Sequence, residues 1–268
     1  MINGLLDPKM DFIFKNIFGA EKNSKILISF LNSVLKSKNP IKYVELKNTD
    51  IEKSFVEDKF SRLDVKATTS NNEVINVEIQ LKNEYNMIKR SLYYWSKLYE
   101  EQLKEGEDYS KLKRTVCINI LNFKYLRNDR FHNGYRLKEM TTNEELTDTE
   151  EIHFIEIPKL NDDCDEKDML VAWTEFLKNP ESEKVRNLEM NIEEIRAAKD
   201  ELIKISNDNK QRELYEMRSN ILRDKTSALN KAKRDGKLEV ARNLIMNGMD
   251  IEIVKQMTGL SDDDLIDI

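Results

Sequence analysis

Apolar residues recur at helical spacing near the start of the chain and alternate with polar residues further along. Spacings of three and four predict helices over residues 11–18 and 24–36. Residues 43–46 predict a first strand. Residues 62–81 alternate between apolar and polar positions on both sides of a polar stretch, which predicts a β-hairpin.

A strand, helix and strand follow in the pattern. Residues 87–102 predict an amphipathic helix, and residues 114–123 form a nearly continuous apolar run typical of an interior strand covered on both faces. This order implies a crossover that places the second strand parallel to an earlier one. Residues 152–157 predict one more strand. The predicted buried stripe of the helix comprises Ile88, Leu92, Trp95, Tyr99 and Leu103.

Beyond residue 160 the pattern is helical and highly charged. Residues 183–233 predict a long amphipathic helix or a helical hairpin, coiled with a partner or packed on its own domain. In the last segment, Gly259 and Ser261 predict a turn between two short helices. The final helix is acidic, which favours a packing or partner-binding role over contact with DNA. We therefore predict an α/β domain over residues 1–160, a charged long-helix region over 161–235 and a small helix-turn-helix-like segment over 236–268.

The hairpin places three polar side chains on one sheet face: Asp64, Glu78 and Gln80. If the turn centres on Asn71 and Asn72, Asp64 lies opposite the neighbourhood of Ile79, with its carboxylate between Glu78 and Gln80. An ordinary half-buried hairpin also shows one charged face. However, neighbouring like charges on adjacent strands are destabilising unless something neutralises them. A divalent metal ion satisfies that requirement.

Composition limits the remaining classes of protein. Charged residues make up 35% of the 268 residues and hydrophobic residues 39%, and no apolar run approaches the roughly 20 residues of a membrane-spanning helix. No secretory signal is evident at the start, and the only two cysteines, Cys117 and Cys164, indicate neither a disulfide framework nor a zinc cluster. We expect a cytoplasmic protein.

The net charge of −6 has the wrong sign for a simple nucleic-acid binder, but the charge is uneven. Residues 111–138 hold eight basic residues and one acid, Asp129, with aromatic residues between them. This stripe suits a phosphate backbone, and it equally suits a solvated loop balanced by the acidic tail. The basic residues are Lys111, Lys113, Arg114, Lys124, Arg127, Arg130, Arg136 and Lys138.

The ordered segments resemble a known family. The strings DPKMDFIFKNIFG, LISFLNSVL, RLDVKA, VEIQL and RSLYYWSKLYEEQLKEGEDYSKLKRTVCINILNF are similar to the Rpn family of recombination-promoting nucleases, transposase-type members of the PD-(D/E)xK superfamily. The resemblance is strong over residues 7–123 and looser over the carboxyl tail. It implies a restriction-endonuclease-like α/β core with a mixed sheet flanked by helices, followed by a C-terminal helical region.

The resemblance also implies an activity: Mg²⁺-dependent hydrolysis of DNA with low sequence specificity, in recombination, mobile-element or defence functions. Asp64 and Glu78 would hold the metal, and the Ile79 carbonyl would contribute. Gln80 stands where the superfamily commonly has lysine, and a glutamine carries no positive charge. We expect Lys66 or Lys82 to supply that charge from the same face.

Further candidates lie outside the hairpin. Asp11 and Lys15, one helical turn apart, form either an i,i+4 ion pair or an accessory part of the site, in which the first helix brings an extra acid toward the metal. Glu57 is a comparable candidate for an extra acid. Five basic residues are candidates for DNA-phosphate contacts: Arg90, Lys113, Arg114, Lys124 and Arg127.

Two other classes of function compete with the nuclease. One is a DNA-binding regulatory protein that keeps the fold with weak or no catalysis, which Gln80 and the acidic net charge favour. The other is a self-associating protein dominated by its long helices. We expect DNA and a second copy of the chain, joined through the C-terminal helices, as partners, and no membrane.

Overall fold

The computed structural model describes residues 4–48, 64–83, 85–161, 164–165 and 167–265. The chain forms two compact units, Met1–Asp208 and Asn209–Ile268. The compact units therefore divide the chain at Asp208, whereas the sequence pattern predicts divisions near residues 160 and 235. Glu57 lies outside the described residues.

A six-stranded mixed sheet forms the centre of the first unit, in the order β1-β2-β3-β4-β6-β5. Its three inner strands, β3, β4 and β6, run parallel to one another, and the other neighbouring pairs are antiparallel. The parallel arrangement of the predicted crossover is confirmed. The strands are β1 Val44–Leu46, β2 Val65–Thr69, β3 Val74–Gln80, β4 Thr115–Leu121, β5 His132–Lys138 and β6 Glu145–Glu156.

Among the described residues, six α-helices accompany the sheet in this unit, and three belong to the second unit. The first six are α1 Asp11–Phe18, α2 Ser24–Leu35, α3 Met87–Glu100, α4 Met169–Lys178, α5 Glu183–Asn191 and α6 Glu193–Asn207. The others are α7 Asn209–Met246, α8 Ile251–Thr258 and α9 Asp262–Leu265. These elements confirm the α/β class and the helical carboxyl region.

The β2–β3 hairpin has a register one residue away from the predicted one. Val65 pairs with Val77, and the loop has three residues rather than two. Thr69 donates its N–H to the carbonyl of Glu73, and Asn72 adopts the left-handed conformation with φ of 62°. Asparagine tolerates this conformation, which three-residue hairpin loops commonly require at their last position. Continuing the register sets Asp64 across from Glu78 instead of Ile79.

Helix α3 covers the polar face of β3. Its buried side chains are Met87, Ser91, Tyr94 and Leu98, whereas Ile88 and Leu92 are 48% and 44% exposed. The predicted stripe was therefore wrong by one position. The reason lies beneath the helix, where Ser91 donates to the amide oxygen of Asn119 on β4. A small polar residue facing a buried polar strand residue satisfies both groups.

The opposite side of the first unit holds an aromatic core. Phe18 stacks on Phe14, and it meets the edges of Phe30 and Trp173 with ring centroids 5.5 and 5.4 Å away. These rings join α1, α2 and α4, and α6 packs on α1 and α2 as well. Helices up to residue 207 therefore belong to the sheet's own unit, because their apolar faces are buried against its first two helices.

The second unit is a long helix followed by two short ones. A small core of Ala241, Val254, Leu260 and Leu265 joins all three. Asp250 caps α8 by accepting from the N–H groups of Glu252 and Ile253, and Gly259 ends the helix with φ of 65°. Glycine adopts this left-handed conformation without strain, so the chain turns sharply into α9.

Candidate active site

Asp64 and Glu78 lie together at the carboxyl end of β3, where the hairpin meets the parallel strands. Asp64 Oδ2 accepts a hydrogen bond of 2.8 Å from the N–H of Ile79. Glu78 is 1% exposed, and Asn119 lies beside it on β4. The two carboxylates that strand alternation predicted on one face are thus brought together, Glu78 buried and Asp64 half-buried.

Burial changes the acidity of both groups. It raises the pKa of Asp64 to about 6, although the N–H of Ile79 opposes the change. Burial and the nearby charge of Asp64 raise the pKa of Glu78 to about 8. Two carboxylates placed together out of water resist simultaneous ionisation. A cation between them would remove that penalty.

The donor atoms fit such a cation. Glu78 Oε1 is buried and has no hydrogen-bond partner among the described residues. In a strand, the N–H and C=O of one residue point to the same neighbour, so the Ile79 carbonyl faces the Asp64 side. Within the described residues no cluster of three or more acidic, histidine or cysteine side chains has metal-binding geometry. Mg²⁺ needs only one or two carboxylates, because water fills its other positions.

Arg90 of α3 is the cationic neighbour of Glu78. Its guanidinium lies 3.3 Å from Glu78 Oε2 and over the ring of Tyr94 at 5.1 Å. Its charge lowers the pKa of both Glu78 and Asp64, against the larger effect of burial. Arg90 is predicted as a phosphate contact, and in the structure its guanidinium lies against Glu78.

Helix α1 brings two charged residues to Asp64. The charge of Asp11 raises the pKa of Asp64, and the charge of Lys15 lowers it, both as smaller effects than burial. Lys15, Asp64 and Lys66 line one cavity of about 150 Å³. The first helix therefore reaches the acidic site through both of the residues that the sequence marked.

The two lysines expected to replace the missing charge are differently placed. Lys66 lies on β2 across from Asn76, and its ammonium is 2.6 Å from a carboxylate oxygen of Glu101. Lys82 follows the end of β3 at Gln80, so strand alternation no longer decides where it points. Gln80 lies two residues after Glu78 on β3, so its side chain is on the same face of the sheet.

The predicted phosphate contacts fall at opposite ends of the sheet. Lys113 and Arg114 precede β4 at its amino end, and Arg114 is engaged by Glu73 at 3.2 Å and by Glu151 at 2.5 Å. Lys124 and Arg127 follow β4 at its carboxyl end, the end at which Gln80 lies, and both are exposed. Only the second pair is near the acidic site.

Two clusters of buried polar side chains were not predicted from the sequence. Glu156 and Lys159, at the end of β6, form an ion pair of 2.6 Å. On the other sheet face, Glu151 binds His153 at 2.6 Å, and His153 binds His132 at 2.9 Å. A glutamate three residues before a lysine is common in sequences and indicates a buried ion pair only if both residues are known to be buried. The sequence therefore contained no signal for this pair.

A mixed α/β sheet with two neighbouring carboxylates beside its carboxyl edge is the arrangement expected of PD-(D/E)XK proteins. A family model described as PD-(D/E)XK nuclease family transposase matches residues 8–232, and one described as Rpn/YhgA-like nuclease family, C-terminal HTH domain, matches residues 234–268. The chain belongs to this Rpn-type PD-(D/E)XK nuclease family. No curated protein and no solved structure matches it.

The second match identifies residues 234–268 as a helix-turn-helix domain, and this class of domain indicates DNA binding. Its acidic last helix is held by cations of its own unit: Arg234 lies 2.7 Å from Asp264, and Lys255 lies 2.6 Å from Asp262. Across the described part of the chain, no helix combines the length and the apolar character needed to span a membrane.

Proposed function

We propose that this protein is a divalent-metal-dependent endonuclease that hydrolyses DNA phosphodiester bonds with little sequence specificity. The observation that carries the proposal is the pairing of half-buried Asp64 with buried Glu78, whose Oε1 has no partner among the described residues. Membership of the nuclease family supports it. Recombination, movement of mobile elements and defence against foreign DNA are the biological uses that fit such an activity.

Asp64, Glu78 and the Ile79 carbonyl would hold the ion, for which Mg²⁺ is the proposed species. When bound, it supplies Lewis-acid polarisation of the scissile phosphate and of water. The Ile79 N–H orients Asp64, and the charge of Arg90 stabilises the ionised form of Glu78. Gln80 has an amide that can orient water by hydrogen bonding but cannot accept its proton as a base.

Lys15 is the best-placed cation for the role that lysine has in related motifs. It lines the cavity of Asp64, as Lys66 does, and its charge acts on the Asp64 carboxyl group, whose pKa it lowers. We therefore assign the positive charge at the phosphate to Lys15, with Lys66 as the alternative. Lys15→Gln should lower the cleavage rate while Lys66→Gln leaves most of it, and the reverse result would exchange the assignments.

Plasmid nicking tests the activity. Purified full-length protein should nick supercoiled plasmid with Mg²⁺ and not with EDTA. Asp64→Asn and Glu78→Gln should each abolish nicking, while Glu105→Gln, which removes an exposed carboxylate, should not change it. Nicking by the parent at the level of the Asp64→Asn variant would reject the proposal.

A regulatory DNA-binding protein is the second candidate. Gln80 in place of lysine and the helix-turn-helix domain favour it. It requires that the parent show no Mg²⁺ or Mn²⁺ binding by calorimetry and that Asp64→Ala/Glu78→Ala protein bind DNA as the parent does. Metal binding that disappears in the double variant would favour the nuclease.

We also propose that α7 joins two copies of the chain. Of its described side chains only Ala241 is buried, and Met217, Ile221 and Leu229 are more than half exposed. Apolar side chains on one long helix are a common basis for helix pairing. Met217→Glu/Ile221→Glu should then halve the mass measured by light scattering, and an unchanged mass would exclude this interface.

A further inference from the structure

Three exposed cations stand on one loop beside the acidic site. The β4–β5 loop, residues 122–131, carries Lys124, Arg127 and Arg130, each three residues from the next. None of the three has an ion-pair partner in the part of the chain that the structure describes. By contrast, Arg114 and Arg136 of the same basic stripe both bind Glu151.

The loop leaves the sheet at the row of residues next to the site. Gln80, Leu121 and Glu156 pair across β3, β4 and β6 at their carboxyl ends. The N–H of Asn122 donates to the carbonyl of Gln80 at 2.9 Å. Since neighbouring strands are about 4.8 Å apart, the loop runs along this edge from β4, about 5 Å from Gln80, past the end of β6 to β5, about 14 Å away. Ligands of open α/β sheets bind outside this edge.

A buried ion pair holds the loop from below. Glu156 is fully buried, and its Oε1 accepts from the N–H groups of Tyr125 and Leu126. Lys159 binds Glu156 and donates to the carbonyls of Leu126 and Asn128, at 2.8 and 2.6 Å. The pair therefore fixes backbone groups on both sides of Arg127.

Other bonds fix the ends of the loop. The Glu156 N–H donates to the carbonyl of Phe131 at 2.7 Å, and the N–H of Ile88 at the start of α3 donates to the Tyr125 hydroxyl at 3.4 Å. A loop already ordered before binding loses little conformational freedom when it meets a ligand. The only acid among its exposed residues is Asp129, so the surface keeps a net positive charge.

We propose that the β4–β5 loop is a preformed contact surface for the phosphate backbone of duplex DNA, and that the Glu156–Lys159 pair positions its cations beside the acidic site. This deepens the proposed nuclease function by naming the element that grips the substrate. Lysine and arginine contacts to phosphate carry no sequence information, which agrees with low specificity. Lys159 is almost fully buried and acts only through the loop.

Binding of a fluorescein-labelled DNA duplex to the full chain in EDTA tests the surface. The variant Lys124→Gln/Arg127→Gln/Arg130→Gln should bind about tenfold more weakly or worse. Between about 50 and 200 mM NaCl, the slope of log affinity against log salt should fall by about 0.9 for each lost phosphate contact. An unchanged affinity and slope would overturn the proposal.

A charge-matched control separates this loop from a general effect of charge. Lys38→Gln/Lys42→Gln/Lys104→Gln removes three exposed cations that belong neither to the basic stripe nor to the candidate phosphate contacts. This control should bind DNA nearly as the parent does. An equal loss in the control and in the loop variant would overturn the assignment to the loop.

A mutant cycle tests the positioning pair. Glu156→Gln/Lys159→Met removes both buried charges together, so neither is left unpaired. It should weaken DNA binding and lower the salt slope, with little further loss when combined with the loop variant. Fully additive losses would show that the pair does not act through the loop cations. If thermal melts show that the pair variant is unfolded, the loop variant alone decides.

The two proposals fail separately, because binding in EDTA needs no cleavage. Weaker binding by the loop variant, together with no nicking by the parent, would retain the surface and reject the nuclease. Nicking by the parent with unchanged binding by the loop variant would do the reverse.

Discussion

Asp64 accepts the backbone N–H of Ile79 at 2.8 Å, so a side chain occupies a place where a neighbouring strand would offer a carbonyl. The bond joins the start of β2 to the end of β3 and fixes one carboxylate beside the other. It lowers the pKa of Asp64, yet burial outweighs it and keeps that pKa at about 6. In the metal-free protein the acids of the site are therefore partly protonated near neutral pH.

Metal binding should release protons. Without metal, pKa values of about 6 for Asp64 and about 8 for Glu78 leave protons on the pair between pH 6 and pH 8. The proposed ion would bind the ionised carboxylates, so apparent Mg²⁺ affinity should rise as pH increases through this range. Calorimetry in two buffers of different ionisation enthalpy measures the released protons. Affinity independent of pH would contradict the assignment of these acids as ligands.

Glu78→Gln should stabilise the metal-free protein at high pH. The pKa of Glu78 is raised from 4.5 to about 8 in the fold, so the folded state binds more protons than the unfolded state between those values. Stability is then lost as pH rises through about 8. In EDTA at pH 9, the variant should gain on the order of 2–4 kcal/mol in free energy of unfolding.

At pH 5, where Glu78 is protonated in the fold, the same variant should differ little from the parent. Urea unfolding at both pH values measures the contrast. A variant less stable than the parent at pH 9 would mean that Glu78 is not the strained acid of the pair.

Arg90→Met should move metal binding to higher pH. The guanidinium lowers the pKa of both acids, so its loss makes their protons harder to displace. Arg90→Lys keeps the charge and should lie between the variant and the parent. If Arg90→Met instead weakens DNA binding and leaves the pH profile of Mg²⁺ binding unchanged, the residue is a phosphate contact, as the sequence suggested.

Acid should destabilise the first unit through His132. Burial, followed by the neighbouring His153, lowers the pKa of His132 from 6.5 to about 4. Although burial opposes it, bonds from His153 and Arg114 hold the pKa of Glu151 at about 2. The ionised Glu151 accepts from His153 Nε2, which leaves His153 Nδ1 to accept from His132. Protonating His132 then places its charge in this buried chain, near Lys36.

The unfolded state therefore binds more protons than the fold between pH 6.5 and about 4, and stability falls as pH decreases through that window. Because His132 is partly exposed, the loss should be on the order of 1–2 kcal/mol. His132→Phe should flatten the dependence in denaturant titrations at pH 7 and pH 4.5. A parent whose stability is equal at both values would contradict the role of His132.

Strand alternation alone predicted the essential part of the site. Alternation within each strand separated Asp64 and Glu78 from the apolar residues, but the observed register, one residue away from the predicted one, sets the two acids directly across from each other. The buried β4 was equally predictable, since an unbroken apolar run cannot face water. The strand β5 was not, because it holds only two large apolar side chains, Tyr135 and Leu137, and five of its seven residues are exposed.

Local pattern thus determined which residues share a face, and with it the α/β class and the acidic pair. Only the tertiary structure decided what those residues meet: Arg90 on Glu78, Lys15 beside Asp64, Glu101 on Lys66, and Glu156 with Lys159 beneath the β4–β5 loop. Periodicity is a property of the backbone within one element, whereas these contacts join residues up to 50 positions apart. Which residues make these contacts depends on how the helices pack on the sheet, and the sequence pattern of a single strand or helix does not determine that packing.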